Sequence, residues 1–128
     1  MDAVFIGAEG LATNEFWAIT GEAGAGTLFT YAPEVKTRPA AQDALKQIVA
    51  TGAEPDNFAF YYYAAVQVLA SAIEEAKSAD PGDVADVMHE KTFDTVVGEM
   101  AFDEKGDLKA PEYVFYEWRD GKYTLAGF

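Results

Sequence analysis

Apolar residues fall into short runs near both ends of the chain and into helical spacing in its middle. Ala3-Val4-Phe5-Ile6, closed by Gly7, predicts a strand buried on both faces. Asn14 to Ile19 predicts a short helix, with Asn14 or Thr13 positioned to cap its free amides. Gly21, Gly24 and Gly26 break that helix, and Thr27 to Tyr31 predicts a second strand. Pro33 to Pro39 is a polar connection. A helix follows over Ala41 to Ala50, with Gly52 placed to stop it. The longest segment, Asn57 to Lys77, is apolar nearly all round at its start, which predicts a helix covered on several sides. Asp80-Pro81-Gly82-Asp83 starts another helix, Val84 to Glu90, with carboxylates near its positive end.

Strand signals return in the last third. Val96-Val97-Gly98 and Met100-Ala101-Phe102 flank Glu99, and Asp103 to Asp107 predicts a turn around Gly106. Tyr113 to Trp118, Asp120-Gly121 and Lys122 to Leu125 predict a hairpin. Strands mixed with helices, without repeats or low-complexity tracts, place the chain in the α/β or α+β class.

Composition narrows the functions on offer. The chain has 128 residues, half of them apolar, which suits one ordinary folded domain. Its 22 acidic and 9 basic residues give a formal net charge of −13. A surface this negative repels phosphate backbones and anionic head groups, so nucleic acid is not an expected partner. Without cysteine there are no disulfides and no thiolate metal ligands. Met1 to Ile6 has no basic stretch or long apolar run, so no export signal is read there. The apolar run from Phe58 to Ala70 falls short of the ~20 residues a membrane span needs.

Most of the candidate chemistry has an ordinary structural explanation. Gly21-Glu22-Ala23-Gly24-Ala25-Gly26-Thr27 superficially matches a phosphate loop, but it lacks the lysine and precedes a strand, so it is a turn. His89 is the one histidine; Asp86 and Glu90 share its helix, and a solvated acidic face explains them better than metal. Asp103 to Asp107 lacks the alternating acids and distal glutamate of a calcium loop. Among the many carboxylates, no spacing singles out a glycosidase pair, and there is no nucleophile elbow. No catalytic residue, metal or cofactor is assigned. Phe58, Phe60 and Tyr61-Tyr62-Tyr63 form an aromatic cluster at a helix start, by default core packing, although rings at such an end can line a cleft.

Glu9 stands out. It lies in Gly7-Ala8-Glu9-Gly10, just past the C-terminal end of the first strand, where open α/β sheets bind ligands. A carboxylate there, beside glycines that admit close approach, suits an ammonium group. From the pattern alone, a solvated loop glutamate is the default.

The surrounding residues carry a resemblance. Phe5-Ile6-Gly7-Ala8-Glu9-Gly10, Gly24-Ala25-Gly26-Thr27-Leu28 and Tyr63-Ala64-Ala65-Val66-Gln67 resemble blocks of the periplasmic leucine/isoleucine/valine-binding proteins. So do Phe93-Asp94-Thr95-Val96-Val97-Gly98 and Phe102-Asp103-Glu104-Lys105-Gly106-Asp107-Leu108-Lys109, in the family's order and over nearly the whole chain. The resemblance implies two α/β lobes joined by a hinge, with an amino acid trapped between them and delivered unchanged to an ABC permease. It implies a periplasmic location. It gives Glu9 the ligand's α-ammonium, gives Gly10 close backbone approach, and places Phe58 where a ring lines the side-chain pocket.

Such receptors are considerably longer, and this chain resembles only their C-terminal part. Residues 1–31 and 113–128 would belong to one lobe and 32–112 to the other, so the expected fold is a hinge-crossing part of a two-lobed α/β receptor, incomplete by itself. The residues that hold the ligand carboxylate would lie in the missing N-terminal portion. Three readings follow: a receptor half completed by another polypeptide, a homo-oligomer that covers its own core, or a folded fragment that binds nothing.

Overall fold

The computed structural model describes residues 3–127. Met1 and Asp2, at the head of the segment read as lacking an export signal, and Phe128 lie outside the described residues. The elements run β1 (Ile6–Gly7), α1 (Asn14–Thr20), β2 (Leu28–Tyr31), α2 (Gln42–Ala50), α3 (Asn57–Ala76), α4 (Pro81–Glu90), β3 (Thr92–Thr95), β4 (Gly98–Ala101), β5 (Val114–Arg119) and β6 (Lys122–Leu125). They form an α/β structure with two compact units, one of residues 1–33 and 112–128 and the other of residues 34–111. Among the described residues no helix is long and apolar enough to cross a membrane.

The first unit is a four-stranded sheet in the order β1-β2-β5-β6. β1 pairs parallel to β2, and the other pairs are antiparallel. Parallel neighbours need a crossover, which α1 and a 3-10 turn over Gly21–Gly24 supply. Alternation in β2 and β5 sends Phe29, Tyr31, Tyr116 and Trp118 into one core, which Leu11, Phe16, Trp17 and Tyr123 complete. The rings pack in offset and edge-on pairs, Phe29 with Tyr116 at 5.6 Å and Trp118 with Tyr123 at 5.1 Å between centroids. Asp120 and Gly121 both have positive φ, so the β5–β6 turn takes the geometry that Asp-Gly favours.

The first strand differs from the expectation. It is Ile6–Gly7 rather than Ala3–Ile6, it has one partner, and it is not buried on both faces. Val4, Phe5 and Ile6 are exposed, Phe5 by 75%. An edge strand with no layer packed over it keeps its apolar side chains in solvent.

In the second unit, α3 is the organiser. Phe60, Ala64, Val68 and Ala72 recur every four residues on its buried face. The first two join Val35, Ala41, Ala44, Val96 and Val97 in one cluster; the last two join Val84 and Phe93 in another. Asp56 caps the helix by accepting a hydrogen bond from the Ala59 amide at 3.0 Å. Lys77, in the left-handed region, ends it. The helix is covered on one side only: Tyr62, Val66, Leu69 and Ile73 lie exposed on its outer face.

Two further boundaries differ. Val96-Val97 is the turn between β3 and β4, not a strand. Its β-branched residues are buried because the turn folds into the core, where Gln67 Oε1 accepts from the Val96 amide and Arg38 donates to the Val97 carbonyl. α4 begins three residues early because Asp80 caps it and Pro81 takes its first position. Thr13 precedes α1 without a side-chain capping bond.

Asn57 gives the second unit a buried polar tie. Its Oδ1 accepts a hydrogen bond from the Val35 amide at 3.0 Å, and Val35 is wholly buried. Asn57→Ala would strand that amide, so it should lower stability by about 1–3 kcal/mol in a urea titration. A change within a few tenths of a kcal/mol would show that the bond contributes nothing.

Candidate functional site

Glu9 opens a 3-10 turn, Glu9–Leu11, directly after β1. Ala8 keeps extended backbone, and the chain turns in the residues after it. Two short bonds then close the turn, from the Leu11 amide to the Ala8 carbonyl at 3.0 Å and from the Ala12 amide to the Glu9 carbonyl at 2.8 Å. Glu9 and Gly10 are both exposed. A methyl group placed on Gly10 would meet nothing within 4 Å, so packing within this chain does not require glycine there.

Gly7 has a role that its position as strand terminator did not reveal. A Cβ there would lie 2.4 Å from Leu11 Cδ1. Leu11 therefore folds back over Gly7 and presses the Glu9 turn onto the end of β1. The available signal was a glycine four residues before a leucine, too common to be read as a motif.

Phe58 belongs to the second unit, in the first turn of α3, and is 36% exposed. The aromatic cluster divides by helical phase. Phe60 is core, Tyr61 and Tyr63 pack against it, and Tyr62 points outward. Glu9 and Gly10 are thus brought together on one turn, while Phe58 stands in the other unit.

Two concave surfaces lie elsewhere. One, of about 300 Å³ in the first unit, is lined by Phe5, Phe16, Thr20 and the Ala23–Thr27 segment. Another, of about 670 Å³ in the second unit, is lined by His89, Phe102 to Lys105 and Lys109. Neither includes Glu9, Gly10 or Phe58. His89 Nδ1 lies 2.7 Å from the Asp103 carbonyl and steadies the neighbouring turn, in which Asp103 Oδ1 accepts from the Lys105 and Asp107 amides. Among the described residues no group of three or more His, Cys, Asp or Glu side chains is placed to hold a metal. The shifted titrations belong to exposed ion pairs: Lys91, hydrogen-bonded to Glu75, lowers the Glu75 carboxyl and is itself raised, and Glu117 raises Arg119. Pairs this exposed contribute little to stability.

Residues 2–122 match the sequence profile of the family described as Periplasmic binding protein. The chain belongs to that family. It is a family of solute-binding proteins rather than of enzymes. The chain is 44% identical over 128 residues to Leu/Ile/Val-binding protein homolog 1 of Brucella suis, covering 97% of itself and 34% of that relative. It is 39% identical over 119 residues to the leucine-, isoleucine-, valine-, threonine- and alanine-binding protein of Pseudomonas aeruginosa, covering 92% and 32%. A crystal structure of a leucine-binding protein from Thermotoga maritima superposes with a TM-score of 0.80 at 27% identity, over 99% of this chain and 37% of that one. The chain therefore spans about a third of the length of the curated relatives it matches, and its fold is part of a periplasmic-binding-protein fold.

Proposed function

We propose that this chain supplies the ammonium-recognising part of a receptor for branched-chain amino acids that serves an ABC permease in the periplasm. The observation that carries this reading is Glu9, exposed on a tight turn at the end of a parallel strand. A carboxylate carried on a hydrogen-bonded turn, with glycine beside it, offers a charged acceptor to an incoming ammonium. Relatives named for leucine, isoleucine and valine support the ligand class. Gly10 admits the ligand's backbone, and Phe58 contributes a ring to the side-chain pocket. Residues 1–31 and 113–128 belong to one lobe of the receptor and 32–112 to the other. The ligand carboxylate is held by receptor residues outside this chain, so binding by the chain alone is weak or absent.

Calorimetry with leucine, valine and small polar amino acids tests this, using the chain alone and in its complete receptor. In the complete receptor, Glu9→Gln should weaken amino-acid binding by about 1.5–3 kcal/mol, the usual worth of a hydrogen bond to a charged group. Unchanged affinity would remove Glu9 from the site, and a complete receptor that binds no amino acid would end the transport reading.

A second reading is favoured by the outer face of α3, where Tyr62, Val66, Leu69 and Ile73 are exposed. An apolar stripe of that length suits a surface that is covered by association. The cover is the remaining receptor portion or a second copy of the chain. Light scattering after size exclusion, on the chain alone and mixed with the remaining portion, separates these; a mass that stays at 13.9 kDa in both would count against both.

A further inference from the structure

Trp118 is wholly buried on β5, 107 residues along the chain from Leu11, and its indole Nε1 donates a hydrogen bond to the Leu11 carbonyl at 2.9 Å. Leu11 is the last residue of the turn that Glu9 opens. The ring itself is held firmly. Its centroid lies 5.5 Å from that of Phe16, 6.0 Å from Trp17 and 5.1 Å from Tyr123. The main chain at Trp118 bonds twice to the neighbouring strand region, donating to the Thr27 carbonyl and accepting from the Gly26 amide.

The turn is soft by comparison. It has three residues, one of them Gly10, and 3-10 geometry makes poor hydrogen bonds. Apolar packing at this core position needs only a large ring, which phenylalanine also provides. The indole differs in its N–H, a donor with no acceptor capacity that must find a partner when buried. Here that partner is the carbonyl of Leu11, the last residue of the Glu9 turn. We infer that Trp118 is a positioning residue for ligand recognition: through Leu11 it fixes the backbone from which the Glu9 carboxylate meets the ligand's ammonium. The inference rests on the assignment of the ammonium to Glu9.

The cleanest probe replaces Trp118 with 3-benzothienylalanine, which keeps the ring shape and substitutes sulfur for N–H; Trp118→Phe is the simpler companion. On the 128-residue chain itself, hydrogen exchange at the Leu11 and Ala12 amides should quicken about 3- to 10-fold, in line with one lost neutral hydrogen bond. Exchange at Phe29 and Tyr116, in the paired strands, should move less and so shows that the unit remains folded. In the complete receptor the same replacement should weaken leucine binding by about 3- to 10-fold, and this loss should vanish in a Glu9→Gln background. A merely structural role would give the same loss in both backgrounds and would overturn the inference. So would unchanged exchange at Leu11 and Ala12. If the unsubstituted receptor fails to bind leucine, the functional assignment itself fails. If it binds and the replacement at Trp118 is silent, this inference alone fails.

Discussion

Phe60→Ala is expected to destabilise the 34–111 unit by about 3–5 kcal/mol, the largest single-residue effect on its fold. Phe60 is wholly buried at the centre of a cluster with Val35, Ala41, Ala44, Ala64, Val96 and Val97. Three of those neighbours are alanines, whose side chains have no atoms that swing into a void. Val96 and Val97 are held by a turn whose amide and carbonyl are tied to Gln67 and Arg38. The cavity should therefore persist, which places the cost in the upper part of the range. Domains of this size have total stabilities of roughly 5–15 kcal/mol, so the unit would be close to unfolding at room temperature. Two probes follow the units separately. Helices α2, α3 and α4, the three longest of the four, lie in the 34–111 unit, so far-UV circular dichroism reports mainly on it. Both tryptophans, Trp17 and Trp118, lie in the other unit, so their fluorescence reports that one. The dichroism midpoint in urea should fall sharply in Phe60→Ala. A midpoint that stays put would mean that the cluster is not what holds the helices together.

How far the sequence foretold this arrangement depended on whether the deciding contacts were local. The β5–β6 hairpin was legible because Asp120-Gly121 demands one turn geometry whatever lies around it. The existence and length of α3 were legible, but its buried side was not. One column is Phe60, Ala64, Val68 and Ala72; the other is Tyr62, Val66, Leu69 and Ile73. Hydrophobicity alone favours burying the second, whose side chains are larger. Close packing against α2, α4 and the β3–β4 hairpin selects the first, since small residues admit near approach. Val96-Val97 misled for a similar reason: β-branched residues favour strands, and here tertiary burial puts them in a turn. At the candidate site, the place of Glu9 after a strand was legible, because that is a rule of topology. The Gly7–Leu11 contact was not, because a glycine four residues before a leucine is too common a spacing to read, and the Trp118 tether was not, because it depends on a fold that brings the end of β5 beneath the turn after β1.

The outer column of α3 carries the second large effect. Val66 and Leu69 are 67% and 50% exposed, so changing both to glutamine removes little packing within the unit. Glutamine also matches or exceeds valine as a helix former, and its neutrality leaves the net charge at −13. Thermal unfolding of the double variant should therefore stay within about 1 kcal/mol of the parent. Association should not survive as well. Covering the exposed half to two-thirds of a leucine and a valine contributes roughly 1–2 kcal/mol each, and burying unpaired amides in their place adds a further cost of about 1–3 kcal/mol. A loss of about 3 kcal/mol or more is expected, upwards of 100-fold in the dissociation constant, whether the partner is the remaining receptor portion or a second copy. Sedimentation of the parent and variant, each alone and mixed with the remaining portion, distinguishes the two partners. With self-association, the parent's mass exceeds 13.9 kDa without any addition, and the variant's returns to that value. With completion by another portion, the parent gains mass only in the mixture. The charge of −13 on each copy opposes the first arrangement and should make it weaken as salt is removed, since screening between like surfaces is then lost. With completion by another portion the parent alone stays at 13.9 kDa at every salt concentration, so a salt-dependent mass of the parent alone marks self-association. Equal association by parent and variant would show that the stripe is not the covered face.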